Sequence, residues 1–348
     1  MASKSDPPDL KRGRVVAIAG ATGAVGEVLL RVLEERAFPV SELRPLASER
    51  SAGTTTVKFR GKELRVELAR PEAFDGADFV FFAATGALSK ELAPEAAKRG
   101  AIAIDKSNTW RMDPQVPLVV PEVNGPAVEK HQGIIANPNC TTTPPVMALG
   151  ALRKLAKLRG AVITTFQSAS GAGLPGVEEL EGQIKAIAAG KPVPPPKAFA
   201  AQIANNVIPL CETFMDNGYS TEEMKLLLEM RKILEDPGFD VAMTAVRVPV
   251  TVGHASSVLL ETEPAITPEA ARAALAAFPG IRVMDDPKHN VFPTPLDGAG
   301  IDDVLVGRIR KDLTSDRLWL WTVGDNLRKG AATNAVQIAE ELIKRGLR

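Results

Sequence analysis

A short apolar strand that runs straight into a glycine-rich turn and then a helix constrains this chain more than any other feature. Arg14 to Ala19 (RVVAIA) reads as a buried strand, GATGAVG follows, and EVLLRVLEER continues with helical periodicity. Gly20, Gly23 and Gly26 stand at G-x-x-G-x-x-G spacing. Their missing side chains let backbone approach a pyrophosphate, and a helix N-terminus offers N–H groups and the positive end of its dipole. A glycine triplet alone is a weak signal. Its place after the first strand of an α/β pattern favours a dinucleotide turn over a tight turn without a ligand.

Strands are predicted again near Leu43 to Ala47, in ADFVFFAA and in AIAID, with the helical LSKELAPEAAKRG between the last two. Strands alternating with helices specify an α/β fold whose N-terminal part is a Rossmann-type doubly wound parallel sheet. After GIIANPNC the pattern changes. AVITTFQSAS, VAMTAVRVPV, SSVLLETE, VLVGRIR and RLWLWTV read as strands; PGVEELEGQIKAIAAG, TEEMKLLLEMRKIL and TPEAARAALAAF read as helices. This mixture predicts an α+β second domain. KPVPPPK reads as a stiff extended connector. The expected division is a disordered leader over 1–13, a dinucleotide-binding domain over 14–139 plus 326–348, and a second domain over 140–325. The last helix, around Ala331 to Arg345, is expected to return to the first domain.

A length of 348 residues suits two domains. A net charge of +0 lacks the basic excess that nucleic-acid binding uses. No apolar run reads as a signal peptide or a membrane span. Two cysteines, Cys140 and Cys211, argue against a disulfide framework and for a reducing, cytoplasmic setting in which a free thiol does the chemistry. No Cys/His cluster has metal-ligand spacing, so no metal is expected.

Cofactor choice falls to SERSAG after the second strand. Glu49 would favour the ribose hydroxyls of NAD, whereas Arg50, with Ser48 and Ser51, can hold the extra phosphate of NADP. The reading is NADP; the competing one leaves Glu49 or Arg50 merely solvated. In GIIANPNCTTTPPVMALGALRKLAKL a strand ends in an Asn-Pro-Asn turn, then comes Cys140, then a helix. A thiol there ionises more easily, and nearby N–H groups can hold an oxyanion. Pro144 and Pro145 fit only a first helical turn, so the helix is predicted to begin near Thr143 with Cys140 in the loop before it. The helix dipole fades within a turn, so thiolate formation should lean more on a histidine. Cys211 reads as a small core residue, and His131 and His289 as structural. Glu222 and Lys225, three apart on a probable helix, would by themselves pass for a solvated ion pair.

PNC, QSASGAG (Gln167 to Gly173), EEMK (Glu222 to Lys225) and RVPVTVGHASS (Arg247 to Ser257) occur in that order. With DKSNTWRM (Asp105 to Met112) and GDNLRKGAA (Gly324 to Ala332), the set resembles the ordered motifs of the aspartate-semialdehyde dehydrogenase family over nearly the whole chain after the leader. The resemblance implies a glyceraldehyde-phosphate-dehydrogenase-like arrangement with a catalytic and dimerisation domain, and a homodimer or tetramer. It implies NADPH-dependent conversion of L-aspartyl-4-phosphate to L-aspartate 4-semialdehyde, serving lysine, threonine and methionine biosynthesis. Cys140 then resembles the thioester-forming nucleophile, His254 the general acid/base and Gln167 the residue that orients the substrate. Arg247 resembles the carboxylate clamp, Glu222 the partner of the substrate amino group, and Arg111 and Lys225 the phosphate pair, with Asn139 also at the substrate. Gly20, Thr22, Gly23, Ala24, Val25, Gly26, Ser48, Arg50, Ser51, Ser170, Gly171 and Asn326 match cofactor positions. One departure stands out: many members carry an acidic residue two after the histidine, where this chain has GHASS, so Ser256 or Ser257 is expected to support His254. The competing assignments are N-acetyl-γ-glutamyl-phosphate reductase, argued against by Glu222, and a non-catalytic dinucleotide-binding paralogue, argued against by the intact Cys140, Gln167, Arg247 and His254.

Overall fold

The computed structural model describes residues 12–348, so all but the end of the expected leader lies outside the described residues. The described chain forms two compact units, one running to Pro138 and including Ala331–Arg348, the other spanning Asn139–Gly330.

The first unit contains β1 (Arg14–Ala19), α1 (Ala24–Glu35), β2 (Val40–Ala47), β3 (Thr56–Phe59), β4 (Lys62–Arg65), β5 (Glu67–Leu68), β6 (Phe79–Phe82), α2 (Gly86–Lys98), β7 (Ile102–Asp105), α3 (Pro121–Asn124) and β8 (Ile134–Ala136). Six strands form a sheet in the order β5-β2-β1-β6-β7-β8, parallel throughout. Such strands are covered on both faces and read as unbroken apolar runs; FVFF of β6 is buried at every position. The strand order turns back at β1, flanked by β2 and β6, and the carboxyl end of such a strand is where doubly wound sheets bind ligands. The C-terminal helix Thr333–Lys344 belongs to this unit, packing against α1 and α3. Asn334 Nδ2 ties it to the Val119 carbonyl at 2.9 Å and to Asn137 Oδ1 at 2.8 Å. The β3–β4 hairpin was not anticipated. Its two turn residues, Arg60 and Gly61, both have positive φ (50° and 74°), the backbone that a two-residue hairpin turn requires.

The second unit contains α4 (Thr143–Leu152), β9 (Lys157–Gln167), α5 (Gly173–Ala188), α6 (Thr221–Ile233), β10 (Asp240–Arg247), β11 (His254–Glu263), α7 (Pro268–Ala276), β12 (Ile281–Val283), α8 (Pro295–Gly298), β13 (Val304–Lys311) and β14 (Leu318–Gly324). The sheet order is β10-β9-β11-β14-β13-β12. The β9–β10 and β12–β13 pairs are parallel and the others antiparallel. Along β9 the period of two is clear. Ala161, Ile163, Thr165 and Gln167 are buried, while Val162, Thr164 and Phe166 face the other way. Register then gathers three side chains at one end of the sheet. Arg247, the last residue of β10, pairs with Gln167, the last of β9, and His254 opens the antiparallel β11 beside them.

Candidate active site

In the first unit, the turn after β1 needs glycine because the backbone around it leaves no room for a Cβ. Gly20 has φ +94°, and a Cβ there would sit 2.6 Å from the Ala83 carbonyl oxygen. A Cβ on Gly26 would sit 2.2 Å from the Gly20 carbonyl oxygen. Gly23 caps α1 with no side-chain bond, so the first-turn N–H groups are offered to an anion. Thr22, Ala24 and Val25 are half-buried in this turn. The turn is tied to β2 by the Gly20 and Ala21 N–H groups, which donate to the Leu46 carbonyl at 2.8 and 3.0 Å. Just past that strand Ser48, Glu49 and Arg50 are exposed and Ser51 closes a turn onto Ser48. These residues fit a nicotinamide dinucleotide. Arg111 also belongs to this unit; it is buried, with its guanidinium donating to the Asn137 carbonyl at 3.0 Å and the Lys106 carbonyl at 2.6 Å.

In the second unit, Cys140 occupies the turn ahead of α4, which begins at Thr143 with Pro144 and Pro145 in its first turn, as the sequence predicts. The turn is held from α6. Asn139 N–H donates to Glu229 Oε2 at 2.7 Å, Asn139 Nδ2 to Glu222 Oε1 at 2.7 Å, and Thr141 Oγ1 to the same oxygen at 2.9 Å. Gly330 closes the other side, where a Cβ would come within 2.8 Å of Cys140 Cβ. The sulfur lies 3.4 Å from His254 Nε2 and 3.5 Å from Asn139 Oδ1.

His254 is buried, and its other nitrogen, Nδ1, accepts from the Ser168 backbone N–H at 3.1 Å and faces Ser168 Oγ at 3.0 Å. Ser168, rather than Ser256 or Ser257, therefore supports the ring. Those two serines lie along β11 opposite Thr165 and Thr164, in the middle of the sheet. Burial, reinforced by the nearby Arg247 charge, pushes the imidazole down to about 3.

Arg247 Nη1 donates to the Ser168 carbonyl at 2.7 Å, and its guanidinium lies 5.6 Å from the centre of the Phe199 ring. Gln167 Nε2 reaches Glu222 Oε1 at 3.3 Å and Thr165 Oγ1 at 3.2 Å. α6 starts from a capping box, Ser220 with Glu223, and presents Glu222, Lys225 and Glu229 at spacings of three and seven, hence on one face. Glu222 is 4% exposed, so its contact with Lys225 at 3.3 Å is no solvated ion pair. Burial would raise its carboxyl, but the Lys225 ammonium and the Asn139 and Thr141 bonds outweigh burial and hold it below the usual carboxylate range. Glu212 holds Lys225 from the other side.

Asn139, Cys140, Gln167, Glu222 and Arg247 line one cavity of about 240 Å³, which Phe199 and Glu212 also wall. Gly171 forms part of the same wall; a Cβ there would meet Arg247 Nη1 at 2.7 Å and the His254 ring at 3.1 Å. Ser170 and Asn326 lie beside His254 and are bonded to each other, Asn326 Nδ2 to Ser170 Oγ at 2.9 Å. A thiol against an imidazole, beside a guanidinium and a buried carboxylate, can carry out acyl transfer on a small amino-acid derivative.

Comparison with known proteins places this geometry. Residues 15–131 match the family described as "Semialdehyde dehydrogenase, NAD binding domain", and residues 149–329 match "Semialdehyde dehydrogenase, dimerisation domain". The chain is 50% identical to the aspartate-semialdehyde dehydrogenase of Aquifex aeolicus over 96% of its length and 99% of that protein. The chain belongs to the aspartate-semialdehyde dehydrogenase family. Another relative, from Bacillus subtilis, is 47% identical over 97% of this chain and 99% of its own. The crystal structure of aspartate semialdehyde dehydrogenase II complexed with ASA from Vibrio cholerae superposes with a TM-score of 0.93 at 45% identity, covering 96% of this chain and 99% of that one.

Against the family motifs, sequence reasoning missed Ser168, Glu229, Phe199 and Glu212. Glu229 carried a signal, seven residues after Glu222 on one helix. Ser168 works partly through a backbone N–H, and Phe199 and Glu212 stand in loops, so none of these three had a periodic pattern to betray it. His131 Nδ1 accepts from the Gly133 N–H at 3.0 Å, and His289 pairs with Asp286 at 2.6 Å. Among the described residues, no group of three or more His, Cys, Asp or Glu is arranged to hold a metal, and no helix is long and apolar enough to cross a membrane.

Proposed function

We propose that the chain catalyses the phosphorylating, NADP-dependent interconversion of L-aspartyl-4-phosphate and L-aspartate 4-semialdehyde through an acyl thioester on Cys140. The observation that carries this reading is the 3.4 Å approach of Cys140 Sγ to His254 Nε2 beside a cavity lined by Arg247 and Glu222. Arg247 receives the α-carboxylate on its planar fork. Glu222 attracts the α-ammonium, and Gln167 and Asn139, both bonded to that carboxylate, orient the acyl group over the sulfur. Lys225 neutralises the phosphate, a role that the family resemblance also gives to Arg111. Cys140 adds to the acyl carbon, and His254 Nε2 meets the charge that develops on sulfur and on the acyl oxygen. When bound, the nicotinamide dinucleotide supplies the hydride; Gly20 to Gly26 would hold its pyrophosphate, and Arg50 with Ser48 and Ser51 the 2′-phosphate that marks NADP. The product would serve lysine, threonine and methionine biosynthesis.

The chain is further proposed to act as a homodimer through the outward face of the second unit's sheet. That face carries Val162, 46% exposed, and the half-buried Phe166, Trp319 and Trp321.

The test is phosphate-dependent NADP reduction with aspartate 4-semialdehyde, run beside N-acetyl-glutamate 5-semialdehyde and beside NAD. Turnover confined to the first aldehyde, abolished in Cys140→Ser, is the expected result. Preference for the acetylated substrate, or undiminished turnover by Cys140→Ser, would overturn the proposal.

A further inference from the structure

The Lys225 ammonium is shared by two carboxylates, and those carboxylates, not the lysine, face the reaction cavity. Glu222 Oε2 lies 3.3 Å from Lys225 Nζ, and Glu212 pairs with the same nitrogen. Glu212 and Glu222 both line the cavity that Cys140 and Arg247 share, whereas Lys225 is not part of its wall. A phosphate entering the cavity therefore meets negative charge ahead of the positive one. One carboxylate has to give way before the ammonium can reach it.

The two carboxylates differ in how firmly they are held. Glu222 is buried and accepts from Asn139 Nδ2 at 2.7 Å, Thr141 Oγ1 at 2.9 Å and Gln167 Nε2 at 3.3 Å. Moving it would release the turn that carries Cys140. Glu212 has one further bond, from Thr221 Oγ1 at 2.6 Å, and its side chain is 44% exposed. Its backbone has φ +65°, a left-handed conformation that glycine or asparagine adopts more readily than glutamate. The chain on either side holds it there. The Ile208 and Arg247 N–H groups donate to each other's carbonyls at 2.9 and 2.8 Å, and the Thr221 N–H donates to the Thr213 carbonyl at 2.9 Å. A carboxylate is thus presented to Lys225 from a position whose backbone disfavours the residue that carries it, and such strain gathers at functional sites.

We propose that Glu212 is a displaceable counter-ion for Lys225: it occupies the ammonium until phosphate arrives, exchanges with it, and so sets the phosphate affinity of the site. The inference deepens the proposed function and rests on its assignment of a phosphate to Lys225. A phosphate dianion carries twice the charge of a carboxylate, so it can win the exchange. The released Glu212 side chain turns into solvent, to which it is already open. Lys225 keeps two anionic partners before and after, so neither state leaves a largely buried charge without a partner. The competition also weakens the hold on inorganic phosphate, which can then depart when it is the leaving group. Glu212 touches Lys225 and not the reacting atoms, which makes it a positioning residue.

The test reads phosphate binding without turnover. Inorganic phosphate in the cavity shields Cys140, so the phosphate concentration that halves the rate of iodoacetamide labelling measures affinity. Glu212→Gln keeps the shape of the side chain and removes its charge, leaving Lys225 on Glu222. The expected result is a half-protecting concentration lowered about three- to tenfold, the scale of one screened charge acting on a dianion. The KM for phosphate falls with it, while the KM for aspartate 4-semialdehyde and for NADP stay as in the parent. Glu212→Asn removes the same charge with a residue suited to a positive φ, and gives the same direction of change where Glu212→Gln fails to fold. An unchanged or raised half-protecting concentration in the folded variants would overturn the proposal. A parent chain that phosphate does not shield would overturn the assignment of phosphate to Lys225, and this proposal with it. The parent thus reports on the first reading and the ratio of variant to parent on the second, so the two failures are distinguishable.

Discussion

Arg247 serves the site in two ways at once. Its Nη1 anchors the Ser168 carbonyl, and its guanidinium lines the cavity against Phe199. Arg247→Lys keeps the charge and loses the fork, so the KM for aspartate 4-semialdehyde should rise by about 10- to 100-fold, the scale of one charged hydrogen bond; steady-state kinetics with saturating phosphate reads it. His254 makes a prediction about pH. Its folded value of about 3 lies below the unfolded value of 6.5, so the unfolded chain takes up a proton that the native one refuses. The associated stability is fully present above pH 6.5 and is lost as pH falls toward 3. Unfolding midpoints of the parent should therefore fall more steeply than those of His254→Gln between about pH 7 and pH 5, by up to about 1.4 kcal/mol per pH unit. Equal slopes would show that the ring is not held neutral. At this scale the sequence was legible where a side chain's chemistry is uncommon. Cys140 stands out by its Asn-Pro-Asn turn, and Arg247 and His254 through the ordered motifs that resemble the family, whereas the Ser168 backbone N–H is a group every residue but proline carries.

On the proposed reading, cofactor affinity depends on the strand–turn–helix at Gly20 to Gly26. Gly26→Ala would press a methyl group to 2.2 Å from the Gly20 carbonyl, so the turn must open. The expected effect is a KM for NADP raised at least about tenfold, the equivalent of one lost hydrogen bond, with the KM for the semialdehyde little changed; a variant with unaltered NADP affinity would count against the cradle. This element was readable because buried parallel strands are unbroken apolar runs and because three glycines follow the first of them at fixed spacing, two of which, Gly20 and Gly26, leave no room for a Cβ. The start of α4 was equally readable, because proline is excluded from a helix interior and Pro144–Pro145 leave only its first turn. The β3–β4 hairpin was not. Its strands, TVKF and KELR, are short and largely exposed, and the turn is Arg-Gly, outside the usual Asn-Gly signature. Strand β12 has three residues, too few for a period of two to show.

For the assembled molecule, the outward face of the second unit's sheet is the surface to perturb. Val162 stands in register with Leu259, which in turn pairs with Trp319, so one row across three strands is apolar. Val162→Glu should shift the sedimentation equilibrium of the chain toward monomer and lower its Tm; an unchanged mass would place the contact elsewhere. Alternation along β9 made this face visible in sequence, but the periodicity of a single chain does not encode what covers it. The whole polypeptide also holds only two sulfhydryls, and both border the same cavity. Burial pushes Cys211 up to about 12, and it is 1% exposed, while Cys140 is partly open and faces an imidazole. An electrophile such as iodoacetamide near neutral pH should therefore add one mass increment per chain, on Cys140 alone, and the mass spectrum of a partly labelled sample would count the competent centres in any preparation.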